Sequence, residues 1–187
     1  MLSAGAAFEA SSITRTRSGW KKFRELLSLL TSRTFSLKKK GALYEACIWS
    51  VMLYGSETWP VKEEDIARLH RTDMSMLRWM SHVSLRDRKS SKELLDRFQL
   101  QHIRSVMQRG RLRWFGHVER MENNNWVKRC RVMEVEGNRG RGIPKKTWEQ
   151  VISVDLRNMG VNRGIAQDRK VWRKAIMMNS LTHDSMD

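Results

Sequence analysis

Proline is nearly missing from this 187-residue chain, with only two in all, so little stands in the way of long helices. Cysteine is equally scarce. Cys47 and Cys130 provide no disulfide framework, and no histidine lies near either at zinc-site spacing. Reduced thiols in a nuclear or cytoplasmic protein are the natural reading. No run approaches the ~18 consecutive apolar residues of a membrane-spanning helix. The opening Met1–Ala10 contains Glu9 and lacks a basic stretch ahead of an apolar one, so it does not read as a signal peptide.

Acidic clusters are also few. Polymerases and nucleases need carboxylates that converge on divalent metal. There is no Asp-Asp pair here, and the one cluster, Glu63-Glu64-Asp65, occupies adjacent positions that diverge around a helix axis. It reads better as the charged start of a helix, where the dipole favours anions. No Gly-x-Ser-x-Gly and no Gly-Lys-Ser/Thr phosphate loop occurs. No catalytic residue, metal site or cofactor is therefore expected.

Positive charge is abundant. Lys and Arg number 36 against 20 Asp and Glu, for a net charge of +16. The excess is uneven: +7 over 1–40, zero over 41–103, +8 over 104–146 and +1 over 147–187. Two basic blocks flanking a neutral body point to a polyanionic partner, bound largely through counterion release. With 40% hydrophobic residues the chain can also bury a core.

Hydrophobic periodicity predicts a mainly α fold. Ser18 is placed to cap a helix whose stripe is Trp20, Phe23, Leu26, Leu27 and Leu30. Ser36 caps a second, running to about Tyr54 with Leu43 or Tyr44, Cys47, Ile48 and Val51 inward, and Gly55 stops it. Pro60 opens a third, with Ile66, Leu69, Asp73, Leu77 and Met80 on one face. After a break at 82–89, Ser90 and Glu93 form a capping box. Leu100, Ile103, Met107, Trp114, Val118 and Met121 suggest a long helix containing Gly110 and Gly116. Residues 122–146 read as irregular, with a short strand at 131–136. Thr147 caps a helix with Trp148, Val151, Ile152 and Leu156 inward, and Asn162 starts the last, with Ile165, Arg169, Trp172 and Ile176 in line. The expected organisation is a helical region over 1–121, a basic Gly-rich connector over 122–146 and a C-terminal helical pair over 147–187. That last segment is too small to bury a core alone, so it should dock on something.

Two runs carry the candidate site. Arg109, Arg111, Arg113, His117 and Arg120 cluster around Trp114 and Phe115. Arginine grips phosphate bidentately and an exposed aromatic stacks on a base, although the spacing of Trp114 to Val118 and Met121 favours a core role for that ring. The second run contains Arg139, Arg141, Lys145 and Lys146 among Gly137, Gly140 and Gly142. Glycines let backbone approach a polyanion closely; a flexible solvated linker is the bland counterpart, and a loop that orders on binding satisfies both.

Several ordered motifs also resemble a known family. Leu53-Tyr54-Gly55-Ser56-Glu57-Thr58-Trp59 is similar to the L-Y-G-x-E-T-W signature that follows the polymerase core of RTE-like and related LINE-type non-LTR retrotransposons. Met76-Leu77-Arg78-Trp79-Met80 comes next. Arg111 to Met121 (RLRWFGHVERM) and Gly142-Ile143-Pro144-Lys145-Lys146-Thr147-Trp148 then follow in the same order. Asp168-Arg169, Trp172-Arg173 and the opening Arg17-Ser18-Gly19-Trp20-Lys21-Lys22-Phe23 fit as well. The family pattern has an arginine where Ile143 stands, which removes one cation.

The resemblance implies an endonuclease and RNA-directed DNA polymerase polyprotein, with the catalytic F/Y-x-D-D motif upstream of Met1 and this chain in the thumb and the region beyond it. No catalytic residue carries over, so the chain is not expected to be an enzyme on its own. The implied partners are template-primer RNA or DNA and the upstream polymerase core, with no membrane. The alternative is a domesticated helical protein–protein interaction module.

Overall fold

The computed structural model describes the backbone of residues 4–60, 62–132 and 146–183, and the side chains of 12–60, 62–131 and 146–178. The fold is mainly α, and no strand occurs among the described residues. The chain forms two compact units. The first comprises 1–55 and 62–106; the second comprises 56–61 and 107–187.

The first unit is built on α1 (Ala4–Glu25), the short α2 (Leu27–Leu30), α3 (Leu37–Tyr44), α4 (Ser50–Met52), α5 (Glu63–Ser81) and α6 (Ser91–Phe98). Ser18 is no cap: it lies inside α1, which starts well before it. The reason is visible in what α1 buries. Ser12, Thr16, Gly19 and Phe23 all point inward at helical spacing, and three of the four are polar or lack a side chain. A Cβ on Gly19 would collide with the Met52 side chain, so the glycine sets how closely α1 packs.

Ser36 caps α3 as expected, its hydroxyl accepting from the Lys39 N–H at 3.4 Å. Between α3 and α4 the chain makes a π turn over Glu45–Trp49. That turn inserts a residue and shifts the helical phase. Tyr44, Ile48, Trp49 and Met52 are buried, whereas Cys47 and Val51 are only half-buried. The run ends earlier than expected, at Met52 with Leu53 as C-cap, and Gly55 lies in the following turn with φ 72°. Lys62 is the N-cap of α5, and Glu63, Glu64 and Asp65 fill its first turn. The α5 stripe Ile66, Leu69, Asp73, Leu77 and Met80 is buried throughout. Ser90 accepts from the Glu93 N–H at 3.1 Å. The Glu93 carboxylate turns instead to Lys89, 2.7 Å away.

The second unit holds α7 (Ile103–Glu119) from Met107 onward, α8 (Trp126–Val132), α9 (Trp148–Asn158) and α10 (Arg169–His183). Residues 126–132, read as irregular, are helical. Arg131 and Val132 therefore do not begin a strand, and the rest of that proposed strand lies outside the described residues. Along α7 the residues fully inside are Leu112, Phe115 and Val118; Trp114 is only half-buried. Leu112 and Phe115 share a core with Ile152, Leu156, Met159, Trp172 and Ile176. Residues 147–176 thus form one core with Leu112 and Phe115 of α7. Gly116 gives the Trp172 indole a place to sit, since a Cβ there would strike the ring. The indole N–H donates to the Leu112 carbonyl at 3.1 Å. Thr147 and Gln150 cap α9 reciprocally. Asn162 caps a 3-10 turn over Arg163–Gln167 rather than α10 itself. The Asp168 carboxylate receives the first α10 amides, from Lys170 and Val171. Arg169, placed in the inward line by its spacing, is exposed.

Candidate nucleic-acid interface

Helical geometry divides the cations of α7 into two kinds. Arg109, Arg113 and His117 are spaced four apart, so each lies about 6 Å further along nearly the same face. Arg113 and His117 are exposed and Arg109 is half-buried. Neither arginine has an ion pair among the described residues. Trp114 lies against the His117 ring, with centroids 5.4 Å apart.

Arg111 belongs to the opposite face, two residues on and about 200° around the axis. It is 3% exposed. Its Nε lies 2.7 Å from Asp155 Oδ2 and its Nη2 3.2 Å from Asp155 Oδ1, a bidentate pair buried between α7 and α9. Arg111 therefore leaves the set of candidate phosphate contacts: its charge is neutralised where a polyanion cannot reach. Arg120 is half-buried and donates to the Ala166 carbonyl at 2.6 Å, which makes it mainly a clasp on the turn before α10.

The acids of this unit follow the same logic. Glu119 accepts from Arg131 at 2.8 Å and Arg163 at 2.9 Å. Glu149 pairs with Arg163 at 2.5 Å. Glu119, Glu149 and Asp155 are thus taken up by Arg111, Arg131 and Arg163. The cations left at the surface include Lys146, Arg157, Arg169, Lys170, Arg173 and Lys174, all exposed. The α10 pairs 169–170 and 173–174 were missed as candidates although their repeat at i, i+4 is visible in the sequence. Arg139, Arg141 and Lys145 lie outside the described residues.

Asp73, Tyr44 and His70 in the first unit are shifted, all for structural reasons. Asp73 accepts at Oδ1 from the Tyr44 hydroxyl at 2.7 Å and the Trp49 indole N–H at 2.8 Å, while its buried Oδ2 has no partner among the described residues. Burial raises its pKa to about 6, against the lowering effect of those two donors. Burial first, and Asp73 second, push the Tyr44 phenol well above its usual value. His70 stacks on His102 with centroids 4.4 Å apart. Burial, then His102, Arg104 and Arg78, lower its pKa to about 4.

Among the described residues, no group of three or more His, Cys, Asp or Glu side chains is arranged to hold a metal ion. Among the described residues, no helix is long and apolar enough to cross a membrane. Comparison with known proteins finds no matching family model, no similar curated protein and no similar solved structure.

Proposed function

We propose that the chain is a non-catalytic segment of a LINE-type endonuclease and reverse transcriptase polyprotein, holding template-primer RNA or DNA through basic surfaces. The ordered motifs quoted above supply the family. The observation that carries the binding role is the ridge Arg109–Arg113–His117 on α7. Asp155, Glu119 and Glu149 are engaged by Arg111, Arg131 and Arg163, and neither ridge arginine has an ion pair among the described residues, so the ridge keeps its charge for a partner. Such contacts position a nucleic acid without reading its sequence.

Substituting Arg109 and Arg113 together with alanine should weaken binding to unrelated sequences alike. If each makes one phosphate contact, the salt slope on duplex falls by about 1.8. Lys62→Ala with Arg71→Ala, two exposed cations on α5, is the control. Titrations at several salt concentrations decide the matter. Equal losses from both pairs would mean that diffuse charge suffices and the ridge is no site.

A second reading, a helical protein-interaction module, is favoured by Trp126. That side chain is 72% exposed on α8, with the Arg129 guanidinium 4.6 Å from its ring centre. Binding to a protein partner that ignores salt would mark it.

A further inference from the structure

Arg17, Trp20 and Arg24 of α1 and Trp79 of α5 line an open depression of about 340 Å³ in the first unit. Trp79 is 49% exposed, although Met76, Leu77 and Met80 around it are fully buried. It is nevertheless held in place. Its ring centre lies 5.8 Å from that of Phe23, which is fully buried, and 6.2 Å from that of Trp20. Trp20 and Phe23 meet edge to face at 5.6 Å. The close approach of α1 at Gly19, one residue away, helps set Trp20 beside Trp79.

The charges flanking these rings are of one sign. Arg17 and Arg24 are seven residues apart, two turns or about 10 Å along α1, with Trp20 between them. Both are exposed and neither has an ion pair among the described residues. Among the described residues, no carboxylate lines the depression. The acid nearest in sequence, Glu25, pairs with Lys22 at 3.0 Å. A core role would have covered Trp79, and a purely electrostatic surface would not need two indoles.

We propose that this cleft is a stacking site for an unpaired base of single-stranded nucleic acid. The exposed face of Trp79 receives the base, and Arg17 and Arg24 hold the phosphates on either side. A π face accepts any base, and arginine adds phosphate and cation–π contacts, so the site is tolerant of sequence. Paired bases inside a duplex cannot reach it. The choice of a nucleic acid rests on the function proposed above; the site itself is separate from the α7 ridge.

The test uses the full chain and two labelled strands with equal numbers of phosphates, a thymidine 12-mer and its abasic analogue. Trp79→Leu keeps apolar volume over Phe23 but removes the flat ring. It should weaken binding of the thymidine strand roughly 5- to 150-fold and leave the abasic strand nearly unchanged. Trp79→Tyr should restore most of the loss. Arg17→Ala with Arg24→Ala should weaken both strands and lower the single-strand salt slope by about 1.4. Thermal melting followed by circular dichroism establishes that each variant folds. A Trp79→Leu loss equal on both strands, or none on either, overturns the proposal, as does a folded Trp79→Tyr no better than the leucine variant. Normal thymidine binding by Trp79→Leu, with a loss on Arg109 and Arg113 substitution, overturns the cleft alone. Failure of the unaltered chain to bind either strand overturns both the cleft and the function it rests on.

Discussion

Buried carboxylates in the two units meet different partners. In the first, Asp73 is held by two neutral donors, the Tyr44 hydroxyl and the Trp49 indole. Asp65 accepts from Ser12 Oγ at 2.7 Å, with Arg68 half-exposed beside it at 3.7 Å. In the second unit, Asp155 faces Arg111 with both side chains under a tenth exposed, and Glu119 and Glu149 bridge Arg131 and Arg163. Neutral donors leave an acid that still titrates near neutrality. Arginine donors take up the acid but remove a cation from the surface. The +8 summed over 104–146 therefore overstates what that block offers a polyanion, because Arg111 is neutralised by Asp155, which lies outside the block.

The ionic core is the place to press hardest. Arg111→Ala removes the buried bidentate partner of Asp155, a loss that typically costs about 3–5 kcal/mol. The double variant Arg111→Met with Asp155→Leu removes both charges and should recover most of that loss. Chemical denaturation of the four-member cycle measures it. A single variant as stable as the parent would show that water reaches the pair and that the contrast between the units is false.

Close packing of glycine gives a smaller contrast. A Cβ on Gly41 in the first unit would meet the backbone carbonyl of Phe98, whereas one on Gly116 in the second would meet the Trp172 side chain. A ring can shift by rotation; a helix-end carbonyl moves only with its backbone. Both alanine variants should lose about 1–3 kcal/mol, with Gly41→Ala the worse. Melting temperatures of the two variants test the order, and the reverse order would mean that α6 yields more readily than the indole.

What could be read from the sequence was local. Ser36, Thr147 and the α5 stripe depend on residues within a turn or two, and each is found where the pattern placed it. The start of α1 ahead of Ser18 was not legible because the described inward residues before Phe23 are Ser12, Thr16 and Gly19, which carry no apolar period. The π turn at Glu45–Trp49 moved the buried set off the expected positions. Trp114 yielded its place in the core to Phe115, the next residue around the helix. Arg111 was separable from Arg109 and Arg113 by spacing alone, since residues two apart cannot share a helix face. Its partner Asp155 could not be foreseen, because only the packing of α9 on α7 brings them together. Trp79 has the same character: nothing in Met76–Met80 shows that Trp20 and two arginines lie beside it.

The smallest net effect comes from the first unit's titrating pair, because its members oppose each other. Asp73 has a folded pKa of about 6 against an ordinary 3.8. Its contribution to stability is fully present below pH 3.8 and is lost as pH rises through 6. His70 has a folded pKa of about 4 against an ordinary 6.5. Its contribution is present above pH 6.5 and is lost as pH falls through 4. Between pH 4 and 6 the two slopes run against each other and flatten the profile. Asp73→Asn keeps an oxygen to accept from Tyr44 and Trp49 but cannot ionise. Relative to the parent it should gain stability as pH rises from 4 to 7, exposing the acid sensitivity of His70. His70→Gln should do the reverse, leaving a protein that weakens as pH rises. Melting temperatures across this range, taken as variant minus parent, isolate each group from the other titrating residues. A flat difference for Asp73→Asn would mean that Asp73 is already ionised at pH 4. The contrast between neutral and arginine partners would then lose its consequence for pH.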